Sequence, residues 1–359
     1  MKIFEISNVT NYSGGAAQMI FLSEGLEKKN DFDITVVCQP DSEISKRVKT
    51  KKIELDMNSQ IIASVRLAKI ISKEKPGIVH CHHTKAHNIV LMASFLTKIP
   101  NIIMTRRVSF PIPKSPIYLY KYKTKKNRKL IAVSEKIKLN ILDIGVEPSR
   151  VQVIHSGTDC NAFNPEISGE KIRQEFNIPK NAVVVCKISG YSHWKGFTYF
   201  LDACKKITES IDNVYFLLVG KDTDGDEISR EVSKRSLERN VKMAGFRNDI
   251  PQIIAASNIS VNVSVDGEGI SGAIRESMAM EKPVIATDVG GNSEVVKNKE
   301  NGILVEPKNS QSIADAVIYL IKNPSEAGKM GKKGRELIIN NFSVDNMILK
   351  HEKLYSELA

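Results

Sequence analysis

The segment that decides the fold is residues 258–286, NISVNVSVDGEGISGAIRESMAMEKPVIA. Apolar and polar residues alternate over 259–265 as they do in a β-strand, and a glycine-rich turn follows. The apolar residues of 271–281 then recur with helical spacing, and a second apolar run occupies 283–287. A strand, a helix and another strand of these lengths predict a βαβ unit, which places the two strands parallel in one sheet.

The same alternation of strands and helices continues along the whole chain of 359 residues. The predicted strands are residues 2–7, 33–38, 77–82, 101–105, 130–133, 151–155, 182–188, 213–219, 241–243, 259–265, 283–287 and 303–305. They are interrupted once, by the segment HSGTDCNAFNPEIS (155–168), which lacks an apolar period and predicts a linker. We therefore predict an α/β protein with two doubly wound, Rossmann-like domains, residues 1–165 and 166–342. Ligands of open parallel sheets bind beyond the carboxyl ends of the strands, so we expect the two domains to face each other across a cleft.

The composition, 42% hydrophobic and 26% charged, is that of an ordinary soluble globular protein. The apolar runs are shorter than the roughly 20 residues of a membrane-spanning helix. The polar N-terminus predicts a first strand rather than a signal peptide. The five cysteines are scattered and form no C-x-x-C pair, which favours free thiols in a reducing cytoplasm and gives no zinc pattern. We expect a cytoplasmic protein without a bound metal.

Nearly all of the excess positive charge lies in the first half of the chain. Residues 1–165 contain 26 Lys and Arg against 14 Asp and Glu, whereas residues 166–359 contain 26 against 27. The densest segment, KSPIYLYKYKTKKNRK (114–129), has seven basic residues, three tyrosines and no acidic residue. This pattern suits a solvated helix face, an anionic membrane surface or a nucleic acid, and the segment alone does not decide among them.

Two pairs of residues in the first half follow predicted strands. Gly14 and Gly15 begin a helix after the first strand, where free N–H groups can bind an anion, although a tight strand-to-helix turn is the simpler explanation. The G-x-G-x-x-G fingerprint of dinucleotide-binding proteins is absent. Arg106 and Arg107 follow the fourth strand and point to different faces, so one can pair with a helix while the other reaches an anion.

Histidines cluster around the end of the third predicted strand, in the sequence IVHCHHTKAH (78–87). No carboxylate or cysteine at ligand spacing accompanies them except Cys81, whose side chain faces the opposite way, so we predict no metal site. A contact with substrate is the role that we expect here, with His82 and His83 as the candidates.

In the second half, Lys195 lies where a helix begins, a place in which the point charge of a lysine suits a phosphate oxygen. The glycine-rich turn brings the N–H groups of Gly269, Ile270 and Ser271 to the start of the next predicted helix. Free N–H groups and the positive end of a helix make a ready site for a diphosphate.

Two glutamates flank this predicted diphosphate site. Glu276 lies one turn beyond Gly272 on the same helix face, so its carboxylate leans over the bare glycine toward the anion. Its neighbours at helical spacing include no cation, so a helical ion pair does not explain it. An ionised carboxylate accepts hydrogen bonds, and we expect Glu276 to bind the hydroxyls of a ribose and Glu268 to bind hydroxyls beyond the phosphates.

These residues resemble the family-4 (group 1) glycosyltransferases of the GT-B fold. Glu268 and Glu276 form an E-x7-E pair within GEGISGAIRESMAMEKPVIATDVGGNSEVV, and HWKGF and GFRNDIPQIIAAS also match the family. The resemblance spans nearly the whole chain and is strongest over 245–306. It implies a metal-independent transferase without a cofactor, which moves a sugar from a nucleotide-diphosphate sugar with retention of configuration. The first domain would bind the acceptor and the second the donor, and a C-terminal helix, 343–359, would pack back on the first domain.

The resemblance also implies roles for individual residues. The donor-binding residues would be Glu276, Gly269, Ile270, Ser271, Gly14, Gly15, Phe246 and Arg247. The catalytic residues would be Glu268, Lys195, Arg106, Arg107 and His82. Within these sets Glu276 would bind the ribose, Glu268 the donor sugar and Lys195 the diphosphate, while Phe246 and Arg247 would lie near the nucleobase.

Two positions depart from the family pattern. Gly190 and Ser189 stand where the family usually has an arginine before the Lys-Gly pair, and TRR replaces the usual histidine after the fourth strand. Charge on the leaving diphosphate would then depend on Lys195 and on Arg106 or Arg107.

The acceptors of this family are often lipid-linked or phosphorylated glycans at the cytoplasmic face of the membrane. The resemblance therefore implies a role in cell-surface polysaccharide or lipopolysaccharide biosynthesis, and the basic segment 114–129 predicts an anionic acceptor or a peripheral membrane contact rather than a nucleic acid. Another GT-B enzyme, such as a nucleotide-sugar epimerase or a phosphorylase, and a non-enzymatic nucleic-acid-binding protein remain alternatives. A nicotinamide dehydrogenase is disfavoured by the missing fingerprint.

Overall fold

The computed structural model describes residues 1–29 and 31–358 and divides into two compact units. The first unit is Met1–Gly157 together with the segment that starts at Val344, and the second is Thr158–Ser343. Residues 158–165, which the sequence assigns to the first domain, therefore belong to the second unit. The predicted fold class is confirmed, because each unit contains one sheet in which all paired strands are parallel.

The first unit has a seven-stranded sheet. Its strands are β1 (Lys2–Ile6), β2 (Asp33–Cys38), β3 (Lys52–Glu54), β4 (Ile78–Cys81), β5 (Asn101–Arg106), β6 (Asn127–Ala132) and β7 (Val151–Val153), in the order β3-β2-β1-β4-β5-β6-β7. The helices between them are α1 (Gly14–Glu27), α2 (Glu43–Arg47), α3 (Gln60–Glu74), α4 (Thr84–Ala93), α5 (Pro116–Lys123) and α6 (Glu135–Asp143). The strand β3 is not predicted from the sequence, because its three residues at the sheet edge, KIE, contain no apolar run.

The second unit has a six-stranded sheet. Its strands are β8 (Val183–Ile188), β9 (Val214–Val219), β10 (Val241–Met243), β11 (Ile259–Asn262), β12 (Val284–Thr287) and β13 (Ile303–Val305), in the order β10-β9-β8-β11-β12-β13. The helices are α7 (Glu170–Glu175), α8 (Phe197–Thr208), α9 (Asp226–Ser233), α10 (Ile250–Ala256), α11 (Gly272–Ala279), α12 (Asn292–Val295), α13 (Ser310–Lys322) and α14 (Pro324–Asn341).

The last helix, α15 (Val344–Ser356), returns to the first unit. Its buried residues Met347, Ile348 and Leu354 join the apolar cluster that contains Leu22 and Leu26 of α1. Ala359, the last residue of the helix predicted at 343–359, lies outside the described residues. Among the residues that are described, no helix combines the length and the apolar character that crossing a bilayer requires.

The central strands of both sheets are buried on their two faces, as expected when helices cover a parallel sheet. Ile3, Phe4 and Ile6 of β1 have no exposed surface, and neither do Val184 and Val185 of β8. In each sheet the direction of winding reverses beside such a strand, between β1 and β4 and between β8 and β11. Ligands of doubly wound sheets bind at this reversal, beyond the carboxyl ends of the strands. The segments after these four strands are therefore the places to look for a site.

Candidate substrate-binding sites at the strand ends

The glycine-rich turn between β11 and α11 is held in place by buried polar contacts. The backbone N–H of Ser271 donates to Asn292 Oδ1 at 3.3 Å, and Asn262 Nδ2 donates to Ser271 Oγ at 2.8 Å. Gly290 has φ +64° and packs so closely that a Cβ on it would lie 1.9 Å from the Glu268 carbonyl oxygen. Because its anchors are buried, the backbone of this turn is held in a fixed arrangement.

Glu268 and Lys195 lie in contact at the ends of β11 and β8. Lys195 Nζ lies 2.6 Å from Glu268 Oε1, and Ser264 Oγ donates to the same oxygen at 2.6 Å. Gly196 makes this approach possible, since it has φ +69° and a Cβ on it would lie 1.9 Å from the Val263 carbonyl oxygen. The structure thus brings together a cation and a carboxylate that are separate in the sequence, with both side chains largely buried.

Glu276 leans over the start of α11, as the sequence predicts. A Cβ on Gly272 would lie 3.4 Å from Glu276 Oε1, so the carboxylate covers the glycine. Burial raises the pKa of Glu276, and the neighbouring Arg275 opposes that shift. Arg275 itself donates to Thr158 Oγ1 at 3.1 Å. Beside a helix N-terminus, this carboxylate is available to accept hydrogen bonds from hydroxyl groups.

Phe246 and Arg247 follow β10 and differ in their surroundings. The Phe246 side chain is 60% exposed. Arg247 binds Glu175 with Nη1–Oε1 at 2.5 Å and also donates to Asp249 at 2.7 and 2.9 Å. These carboxylates raise the pKa of Arg247, with Asp249 contributing most. Arg247 therefore ties its loop to α7. The ring of Phe246, in contrast, is largely exposed to solvent.

Lys187 of β8 is a residue of this region that sequence reasoning misses. Its side chain is fully buried, and its Nζ donates to the Lys195 carbonyl oxygen at 2.8 Å. In the sequence Lys187 is one residue of the strand VVVCKI. The strand pattern does not predict that its ammonium group binds the turn that contains Lys195.

In the first unit, the loops after β1, β4 and β5 bring Gly15, His83 and Arg107 together. A Cβ on Gly15 would lie 3.0 Å from His83 Nε2 and 3.3 Å from Arg107 Cδ. His83 Nδ1 lies 2.9 Å from Ser7 Oγ, and Arg107 Nη1 donates to Ser156 Oγ at 3.2 Å. Burial, with a smaller contribution from Arg107, lowers the pKa of His83 to about 4. The imidazole is therefore neutral near pH 7, and Arg107 carries the positive charge of this group.

His82 is buried and has protein partners on both ring nitrogens. Its side chain is 1% exposed, and its ring nitrogens contact Glu5 Oε2 and, at 3.1 Å, Arg107 Nη2. Burial lowers the pKa of His82 well below its usual value. His82 thus lies buried behind Arg107, and its expected catalytic role stays a prediction, whereas His83 is partly exposed in the following loop.

Glu5, His80 and His82 form the one cluster among the described residues whose ligand atoms lie close enough together to hold a metal ion. His80 Nδ1 lies 2.6 Å from Tyr355 Oη and its Nε2 lies 2.7 Å from Thr105 Oγ1. Each ring nitrogen of the two histidines already has a hydrogen-bonding partner from the protein. In this structure the cluster is a hydrogen-bonded network that links α15 to the sheet.

The adjacent arginines have separate environments, as their opposite directions predict. Arg106 is buried, and it donates to Tyr122 Oη of α5 at 2.8 Å and to the Phe110 carbonyl at 2.5 Å. Arg106 therefore ties the end of β5 to α5, and its expected catalytic role stays a prediction. Arg107, beside Gly15 and His83, is the arginine that remains near the strand ends.

The basic segment 114–129 is only partly a surface. Lys121 is buried and donates to the Thr84 carbonyl at 2.9 Å, and Lys126 donates to the Ser94 carbonyl at 3.0 Å. Burial lowers the pKa of Lys121 to about 8. The exposed residues of the segment are Lys114, Ser115, Pro116, Ile117, Tyr118, Tyr120, Lys123, Lys125 and Arg128. Lysines and large apolar side chains thus share the exposed part of this segment.

Comparison with known proteins identifies the class. Residues 12–162 match the model of Glycosyltransferase Family 4, and residues 168–337 match the model of Glycosyl transferases group 1. The chain belongs to the family-4 (group 1) glycosyltransferases, and its two parallel-sheet units are those of the GT-B fold. The resemblance noted in the sequence is confirmed.

Two relatives match along nearly their whole length. The UDP-Gal:alpha-D-GlcNAc-diphosphoundecaprenol alpha-1,3-galactosyltransferase of Escherichia coli is 26% identical, over 100% of this chain and 97% of its own. The capsular polysaccharide biosynthesis glycosyltransferase CapM of Staphylococcus aureus is also 26% identical. This match covers 99% of this chain and 98% of CapM.

Solved structures agree on the fold. A glycosyltransferase from Rickettsia africae superposes with a TM-score of 0.89 at 24% identity, covering 99% of this chain and 98% of its own. Anabaena HepE, in complex with UDP-glucose, superposes with a TM-score of 0.87 at 22% identity, covering 99% and 100%.

Proposed function

We propose that this protein transfers a sugar, with retention of configuration and without a metal ion, from a nucleotide-diphosphate sugar to a glycan or lipid-linked acceptor. The contact between Lys195 and Glu268, beside the N-terminus of α11 and the leaning carboxylate of Glu276, is the observation that carries the proposal. It combines donors for a diphosphate with acceptors for the hydroxyls on either side of it. By domain, the second unit binds the donor and the first unit binds the acceptor.

In this proposal the protein acts chiefly on the leaving diphosphate. Lys195 and the N–H groups of Gly269, Ile270 and Ser271 stabilise the negative charge that develops as the sugar leaves. Glu268 is held by Lys195 and Ser264, an arrangement that suits a hydrogen-bond acceptor for donor-sugar hydroxyls better than an attacking nucleophile. A front-face transfer that retains configuration is therefore the mechanism we propose.

In the first unit, Arg107 supplies the positive charge that binds an anionic group of the substrate. Gly15 and His83 line the space around the Arg107 side chain. The neutral His83 adds a hydrogen-bonding group without a second charge. An arginine can bind phosphate oxygens in pairs, so this group suits the phosphate of an anionic acceptor.

The named activities of two relatives support a role in cell-surface polysaccharide or lipopolysaccharide biosynthesis. One relative's name specifies an acceptor linked to diphosphoundecaprenol, and the other is named for capsular polysaccharide biosynthesis. We extend both features to this chain, which would act on an acceptor with a lipid-linked diphosphate in polysaccharide biosynthesis. Because such an acceptor is anchored in a bilayer, we also propose that the protein works at the cytoplasmic face of a membrane.

The test of the donor site is thermal melting with UDP, GDP, ADP, CMP and their common sugar conjugates. A ligand at 100 times its dissociation constant adds about 2.7 kcal/mol to the free energy of unfolding. We expect one nucleoside diphosphate to raise the Tm of the wild type but not of Glu276→Ala. The matched control is Glu238→Ala, which removes an exposed glutamate of the same unit and should leave the response unchanged. If no nucleotide stabilises the wild type, the proposed function is wrong.

We also propose a peripheral membrane contact through the exposed part of 114–129. Each lysine near an anionic surface contributes about 1 kcal/mol. Lys123→Gln with Lys125→Gln should therefore weaken binding to phosphatidylglycerol-containing vesicles roughly 30-fold. The control with the same change in charge is Lys49→Gln with Lys51→Gln, exposed positions outside the segment. Equal effects of the two double substitutions would mean that net charge alone, and not this segment, drives the binding.

A further inference from the structure

Lys187 has an environment that a lysine rarely occupies. Its side chain has no exposed surface, and its Nζ lies 4.6 Å from the centre of the Phe197 ring and 5.9 Å from that of Phe200. Its hydrogen bond is to the Lys195 carbonyl oxygen, at 2.8 Å. Lysines are almost never fully buried without a paired charge, because removing an ammonium from water is costly. A function at the neighbouring turn would explain its presence.

The titratable groups that act on Lys187 belong to three elements. Lys195 lies in the turn before α8, Glu268 in the turn after β11, and Cys204 in α8. Burial raises the pKa of Cys204 well above its usual value, so this thiol stays neutral. On the neighbouring strand β9, the residue paired with Lys187 is the apolar Leu218. The charge on Lys187 therefore depends chiefly on its burial and on the nearby Lys195 and Glu268.

We propose that Lys187 is a positioning residue that takes up a proton when a diphosphate binds at Lys195. This inference rests on the proposed donor site. The ammonium form of Lys187 would donate more strongly to the Lys195 carbonyl and add a positive charge beneath the diphosphate. Both effects favour the bound state. In this way a lysine from β8 supplies positive charge that the family's missing arginine would have supplied.

Burial, followed by the charge of Lys195, lowers the pKa of Lys187 to about 7, and Glu268 opposes the shift. In the free protein the amine and the ammonium are thus both populated near neutral pH. A bound dianion favours the ammonium and raises this pKa, so binding is linked to proton uptake. Affinity for the donor is therefore highest below the pKa that Lys187 has in the free protein. It falls as the pH rises through the pKa that Lys187 has in the complex.

The experiment is calorimetric titration of the whole protein with UDP-glucose, in buffers of different ionisation enthalpy, from about pH 6 to about pH 8.5. The diphosphate diester of UDP-glucose does not titrate in this range, so proton uptake reports on the protein. If the melting experiment selects another base, GDP-mannose or ADP-glucose replaces the probe. We expect uptake of a fraction of a proton near pH 7.5. We also expect affinity to fall about tenfold across the range for each unit by which binding raises the pKa.

Two substitutions of Lys187 separate positioning from a purely structural role. Lys187→Met should bind more weakly with neither proton uptake nor pH dependence. Lys187→Arg, which stays charged, should restore affinity toward the low-pH value of the wild type and remove the pH dependence. If Lys187→Met does not fold, Lys187→Arg alone carries the test.

The control is His193→Gln, because His193 is an exposed residue that lies two positions from Lys195. It should leave the uptake unchanged. Uptake that persists in the Lys187 variants, or wild-type binding without uptake, would overturn the inference while leaving the donor site standing. Failure of every nucleotide sugar to bind would instead reject the proposed function and the inference with it.

Discussion

The pair of Lys195 and Glu268 allows stability and function to be tested separately. Lys195→Met leaves the buried Glu268 carboxylate without its cation, and breaking a buried ion pair in this way costs about 3–5 kcal/mol. Adding Glu268→Gln removes the stranded charge, so the double variant should recover most of the stability in urea unfolding. Its transferase activity should stay at least ~100-fold below the wild type, since the charge that stabilises the leaving group is still missing. Recovery of activity with stability would show that the pair is only structural.

Gly14 and Gly15 are adjacent in sequence but not equivalent in the structure. A Cβ on Gly14 meets nothing within 4 Å, whereas one on Gly15 would lie 3.0 Å from His83 Nε2 and 3.3 Å from Arg107 Cδ. Both residues lie at the start of α1, where alanine is favoured over glycine by up to about 1 kcal/mol. Gly14→Ala should therefore keep or raise the Tm. Gly15→Ala should displace His83 and Arg107, so its kcat should fall further than its loss of thermal stability can explain. Equal kcat values for the two variants would argue against a role for the Arg107 group.

At the scale of the element, α15 is attached to the first sheet by Tyr355. Its hydroxyl donates to Glu5 Oε1 at 2.8 Å and lies 2.6 Å from His80 Nδ1, within a fully buried network. Tyr355→Phe keeps the packing but removes a hydrogen bond to a charged group, which should cost about 1.5–3 kcal/mol. Urea unfolding measures this loss. The matched control, Tyr319→Phe, alters a tyrosine that is 43% exposed on α13 and should change stability little.

Elements differ in how far their own sequence determines them. The strand–turn–helix pattern over 258–286 is local, so β11, α11 and the leaning Glu276 could be predicted from spacing alone. The edge strand β3 could not, because pairing with β2 rather than an apolar pattern defines it. The same holds for contacts between distant segments. Glu5 and Tyr355 are 350 residues apart in the sequence, and only the tertiary fold brings them into contact. The surroundings of Lys187 could not be predicted for the same reason, since the partners of a strand residue come from neighbouring elements.

At the scale of the whole molecule, the distribution of histidines predicts that the two units differ in their response to acid. Six of the seven histidines lie in the first unit. Burial is the main cause of the lowered pKa values there: about 4 for His83, and about 3 for His87 and for His351. The one histidine of the second unit, His193, is exposed. The first unit should therefore lose stability in mild acid while the second is little affected.

The direction follows from proton binding. Histidines in the unfolded chain take up protons below a pKa of about 6.5. In the folded chain His82, His83, His87 and His351 take up protons only at a much lower pH, so the free energy of unfolding decreases as the pH falls below about 6.5. Between pH 7.5 and 5.5 each should cost about 1.4 kcal/mol. Hydrogen exchange followed by mass spectrometry can resolve the units, and we expect faster exchange at pH 5.5, after correction for the intrinsic rate, only in Met1–Gly157 and α15. His87→Gln should reduce this sensitivity by about a quarter, since it removes one of four buried histidines, and His193→Gln should not reduce it. A uniform acceleration in both units would mean that the buried histidines do not govern acid stability.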